Sequence, residues 1–128
     1  MKKFTLILSL IFTVTLASTS FAEWKKVGES LSGNTFYVDF ERIRKHCGYV
    51  YFWELIDRVK PTNTGVLSDI TYQQGDCSSF RYKTLNWFWH KEPMGGGSST
   101  TDNNPHKEWN YPPPNSSMEF ILKFVCSR

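Results

Sequence analysis

The chain has 128 residues, with 15 Lys and Arg against 12 Asp and Glu and a formal charge of +3. Two of the positive charges, Lys2 and Lys3, fall in the leader described next, so the remaining domain sits near about +1. A near-neutral domain has no electrostatic pull toward nucleic acid or an anionic membrane, which leaves shape and an aromatic complement of five Trp, six Tyr and seven Phe beyond the leader to carry recognition.

Lys2 and Lys3 precede the apolar run Phe4 to Ala17, which gives way to Ser18-Thr19-Ser20-Phe21-Ala22. This charged, apolar, small-residue order is that of a secretory signal, with Ser20 and Ala22 as the small pair before the cut. The apolar stretch falls short of the roughly 20 residues a bilayer span needs. Residues 1–22 are therefore expected to be a cleaved signal peptide, and 23–128 a single domain without a membrane span. No Cys stands at the cut, so the usual acylation site of a bacterial lipoprotein is missing. The expected product is exported, periplasmic or secreted, with surface display left open.

Cys47, Cys77 and Cys126 all lie beyond the cut, where disulfides form and persist. Three cannot all pair within one chain, so one thiol is free or joins two molecules. A Cys77 to Cys126 bond would close a loop of about 49 residues and add roughly 4 kcal/mol on the chain-entropy account. Cys47 would then be the odd one.

Segments rich in Val, Ile, Thr and aromatics alternate with polar turns, which favours strands. Trp24 to Val27 is a short first strand, Ser32-Gly33-Asn34 a turn, and Thr35 to Asp39 a second strand. Phe40 to Cys47 fits a short helical turn or irregular crossover. Gly48 to Val59 is the strongest strand, with Tyr49, Tyr51, Trp53 and Leu55 on one face and Val50, Phe52, Glu54 and Ile56 on the other, so it belongs in the centre. Pro61 to Gly65 turns, Val66 to Gln74 returns as a strand, and Gly75-Asp76 turns again. Ser79 to His90 is the fourth long run; strict alternation sets Phe80, Tyr82, Thr84, Asn86, Phe88 and His90 against Arg81, Lys83, Leu85, Trp87 and Trp89. Short turns between successive strands imply an antiparallel meander.

Residues 93–114 read as a long Gly- and Pro-rich loop, with Trp109 and Tyr111 tying down its distal end. Ser116 with Glu119 three residues on forms a capping box, and Met118, Ile121, Leu122 and Val125 share a helical face. A terminal helix over Ser117 to Cys126 follows. The fold class is α+β: an antiparallel sheet of about six strands with a C-terminal helix.

Each candidate for chemistry has a plainer account. His46-Cys47 pairs an imidazole with a thiol, the pattern of an activated nucleophile, yet neighbours in a strand or turn point apart and no oxyanion motif accompanies them. His46, His90 and His106 lack zinc spacing, so no metal or other cofactor is expected. Asp57, Asp69 and Asp76 suit turns and surface better than an acid–base pair. Gly95-Gly96-Gly97 lacks the lysine of a phosphate loop and reads as a hinge. Trp87 and Trp89, two apart on one strand face, offer a stacking platform for a sugar ring or protein partner; with so many aromatics, core filling or a dimer contact is the simpler role. No enzymatic activity is expected.

Taken in order, Trp24, Phe36-Tyr37-Val38-Asp39 with Ile43, Tyr51-Phe52-Trp53-Glu54-Leu55, Ser68 and Tyr72 ahead of Asp76-Cys77, Met94-Gly95-Gly96-Gly97, Pro114, Ser117, Glu119 and Val125-Cys126 form a series of short motifs. This series resembles the bacterial surface-adhesin protein E family. The resemblance spans nearly all of the domain. It implies Cys77 and Cys126 as the disulfide pair linking helix to sheet, with Cys47 outside the family pattern as a free or intermolecular thiol. It also implies a non-enzymatic adhesin that forms homodimers and binds host matrix and plasma proteins such as vitronectin, laminin and plasminogen. The family's basic segment ahead of the first disulfide cysteine is replaced here by residues 66–74, without Lys or Arg, and the family's lipid-bearing cysteine has no match. The leading expectation is an exported interaction module, and the alternative is a periplasmic small-ligand or glycan-binding protein using Trp87 and Trp89.

Overall fold

A computed structural model describes residues 22–104 and 108–128; the expected signal peptide up to Phe21, and His106, lie outside them. Among the described residues seven strands form one antiparallel sheet: β1 (Trp24–Glu29), β2 (Thr35–Asp39), β3 (Arg44–His46), β4 (Tyr49–Asp57), β5 (Ser68–Asp76), β6 (Arg81–His90) and β7 (Ser99–Asp102). The order is β1-β2-β4-β5-β6-β7, with the short β3 also on β4. Helix α1 (Ser117–Cys126) closes the chain.

This is the expected meander with its terminal helix. β4 is central because both of its faces are apolar, and it pairs with β5 from Val50–Gly75 to Asp57–Ser68. One face turns toward α1. There Phe36, Val38, Val50 and Phe52 meet Ile121, Leu122 and Val125, every one of them buried. The 3.6-residue spacing of the apolar residues on α1 put these side chains on the stripe that covers the sheet. Ser116 caps the helix by accepting from the Glu119 backbone N–H. The reciprocal half of the capping box is not made: the Glu119 carboxylate pairs with Lys123, and the Ser116 N–H donates to the Pro113 carbonyl.

Four sequence expectations change. Phe40 to Cys47 does begin with a 3-10 turn at Phe40–Arg42, but Arg44–His46 then joins β4 as β3. The short β2 leaves the far end of β4 unpaired, and β3 fills it. Gly75-Asp76 is strand rather than turn; the glycine is there for close packing, since a Cβ on it would lie 2.8 Å from Val50 Cγ1 and 3.0 Å from Leu122 Cδ1. The chain turns instead at 77–80, ending on Phe80 with φ +52°. The 93–114 stretch holds a 3-10 turn at Pro93–Gly95 and the edge strand β7. Finally, the register of β5 and β6 shifts at Leu85, between the Tyr72–Asn86 and Gln73–Thr84 pairs. The bulge breaks the two-residue alternation, so Tyr82, Thr84 and Trp87 line one cavity.

Candidate functional site

On the helix side, the centre of the sheet turns polar beyond the apolar core. Glu54 of β4 stands opposite Thr71 of β5, and Gln73 opposite Thr84 of β6. All four are buried. The Thr84 hydroxyl donates to Gln73 Oε1 at 2.8 Å, and Gln73 Nε2 donates to Thr71 Oγ1 at 3.1 Å. Gln73 also hydrogen-bonds the Glu54 carboxyl, whose Oε2 has no partner. Burial pushes the Glu54 carboxyl up to about 7, with the Gln73 hydrogen bond opposing and the Asp69 charge reinforcing the rise. These groups border a cavity of about 310 Å³ walled by Phe36, Tyr82, Trp87, Asn110 and Met118.

The tryptophan pair predicted from the sequence is on this side. Trp87 and Trp89 stack on each other with centroids 5.5 Å apart and an interplanar angle of 21°. Trp87 borders the Glu54 cavity, while Trp89 borders a second depression with Thr64, Val66, Lys91 and Thr100. Both are half-buried. Because they lean together, they form a ridge between two concavities.

Among the described residues the opposite face carries no helix. Tyr51, Tyr72, Trp53 and Phe88 form a ladder across β4, β5 and β6, with successive centroids 6.2, 4.6 and 6.0 Å apart. All four rings are half-buried. Burial raises the Tyr72 phenol, with Tyr51 adding to the rise and Arg44 opposing it. Straps cover the two ends of the face. At one end Gly95 crosses over Leu55 and Ile70, held where the Ser68 hydroxyl donates to the Glu92 carbonyl and accepts from the Gly95 N–H. At the other, Trp109 lies 5.6 Å from Tyr49, with the Arg81 guanidinium and Lys83 ammonium each 4.4 Å from its ring centroid. Asn110 exchanges backbone hydrogen bonds with Tyr82, and Tyr111 hydrogen-bonds Arg81, so the distal end of the loop is tied down as the sequence suggested.

The remaining candidates separate. Cys77 and Cys126 form the disulfide that ties the end of α1 to the sheet. Cys47 is an exposed free thiol in the β3–β4 turn, at φ +50°. Asp57 accepts from the Met94 N–H, Asp69 pairs with Arg58 at 2.7 Å, and Asp76 with Arg81 at 2.9 Å, so all three have structural partners. Among the described residues no three His, Cys, Asp or Glu side chains converge as metal ligands, and no helix is long and apolar enough to cross a membrane.

A family model described as surface-adhesin protein E matches residues 24–127. The chain belongs to the surface-adhesin protein E family. Solved structures of Haemophilus influenzae protein E share its fold: one crystal form has a TM-score of 0.64 at 15% identity, covering 84% of this chain and 89% of that one. A second, from a non-typeable strain, has a TM-score of 0.58 at 15% identity, covering 84% and 77%. No curated protein matches the chain. Membership in this family marks the protein as an adhesin-like, exported surface protein. Two features escaped the sequence reading: the polar cluster around Glu54 and the aromatic ladder on the face opposite α1. The lone acid among the apolar alternates of β4 was the available signal for the first.

Proposed function

We propose that the protein is a non-enzymatic, exported interaction module that binds a macromolecular partner through the sheet face opposite α1. The observation that carries this reading is the half-buried ladder of Tyr51, Tyr72, Trp53 and Phe88, on which no helix among the described residues packs. Tyr and Trp bury large rigid area at low entropic cost and keep a polar handle, which suits them to protein interfaces. Arg44 and Lys83 at the margins supply positive charge that β5 itself lacks.

Family membership supports a host-derived partner, and vitronectin, laminin and plasminogen are the first proteins to test. Residues 1–22 act as the export signal, and the mature domain begins at Glu23. Self-association belongs to the same reading, through the exposed β7 edge or the aromatic face. The test is a binding screen of the purified mature protein against matrix proteins, plasma proteins and glycans. Saturable binding to a host protein supports the reading, and binding confined to glycans would favour the Trp87 and Trp89 alternative.

A further inference from the structure

The cavity on the helix side has a chemistry unlike that of the open face. Its one ionisable carboxyl, Glu54, is 2% exposed, and Oε2 accepts no hydrogen bond. Among the described residues no cation answers it: Arg58 is committed to Asp69 by a bidentate contact at 2.7 and 3.3 Å. Asp69 on β5 and the Tyr82 phenol on β6 are the other titratable groups that reach Glu54. From β2 and α1 the cavity is walled by Phe36 and Met118. The Gln73 amide, which could otherwise turn to serve a neutral ligand, is held by Thr84, Thr71 and Glu54.

A buried carboxylate without a counter-charge, walled by aromatic rings, is the arrangement that takes up a cation. Charge pairing satisfies the oxygen, and ring faces attract the positive end of a ligand. The volume, about 310 Å³, is at the lower limit of small-molecule sites, which restricts the ligand to a fragment-sized body. We propose that this cavity binds a small organic cation, a primary ammonium on an apolar or aromatic body, with Glu54 as the counter-ion and Phe36, Tyr82 and Trp87 as the walls. The site is separate from the open aromatic face, so it stands or falls independently of partner binding there.

The test is a titration of the isotope-labelled mature protein with 2-phenylethylamine, followed by amide and indole NMR shifts, with 2-phenylethanol as the uncharged isostere. The amine is charged throughout the range used. The expected result is saturable shifts at Thr71, Gln73, Thr84 and the Trp87 indole, with the alcohol at least ~10-fold weaker. Near pH 8, where Glu54 is ionised, the amine should bind about 10-fold or more tightly than near pH 5.5, where it is protonated. E54Q should remove the preference for the amine. Equal binding of amine and alcohol, no pH dependence, or no saturable shift in the wild-type protein would each overturn the proposal, and these comparisons need no variant to fold.

Discussion

Gly75 lies beneath Leu122 so closely that a methyl group on it would come within 3.0 Å of the leucine Cδ1, and within 2.8 Å of Val50 Cγ1 on the neighbouring strand. The helix reaches the sheet at this distance because position 75 has no side chain. Gly75→Ala should therefore push α1 away and destabilise the domain by about 1–3 kcal/mol. A fall in Tm of several degrees, with far-UV circular dichroism unchanged, is the expected readout.

The bond between Cys77 and Cys126 fastens the same helix at its far end, across a separation of 49 residues. Replacing both cysteines by Ser should cost about 4 kcal/mol on the chain-entropy account, measurable by urea unfolding. Alkylation without reductant, followed by intact mass, should label one thiol per monomer, the exposed Cys47. Labelling of all three would contradict the bond.

Glu54 makes stability depend on pH in an unusual direction. In the unfolded chain its carboxyl ionises near the ordinary 4.5, but in the fold it keeps its proton up to about 7. Across that window the folded state holds more protons than the unfolded one, so stability falls as pH rises and levels off above about 7. The loss should reach about 3 kcal/mol, and E54Q should flatten it. Asp76 acts in the opposite sense and at lower pH: its hydrogen bond from Arg81 holds the carboxyl below its ordinary range. Its contribution is present above that range and is lost as pH falls through the lowered value.

Trp109 holds the distal strap through two cations and one tyrosine ring. Trp109→Ala should cost about 2 kcal/mol. Hydrogen exchange should speed up at the Tyr82 and Asn110 amides, which pair across the strap, while the β4–β5 pairing stays protected.

Much of the architecture was legible because it depends on local pattern. Val50 to Ile56 alternates with both faces apolar, and Ser116 with the stripe from Met118 to Val125 marks both the start and the buried face of α1. What was not legible depends on contacts between distant segments. Gly75 looks like a turn residue until Leu122 lies above it. Leu85 leaves no local sign that the register slips, yet the slip decides which face Trp87 occupies. β3 is too short and too charged to declare itself, and needs the unpaired end of β4 to form. The candidate sites suffered in the same way: Glu54 was visible as a residue, but its cavity requires β2, β6, Asn110 and α1 together.

The most direct test of the central claim is binding of immobilised vitronectin, laminin and plasminogen to the mature protein and to a Tyr51→Ser, Tyr72→Ser double variant, each checked for an intact fold by its thermal transition. Saturable binding to at least one of these proteins by the wild type, weakened about 10-fold or more in the folded variant, is the result expected if the helix-free face is the binding surface. Equal binding by the two proteins, or none by the wild type to any of the three, would contradict it.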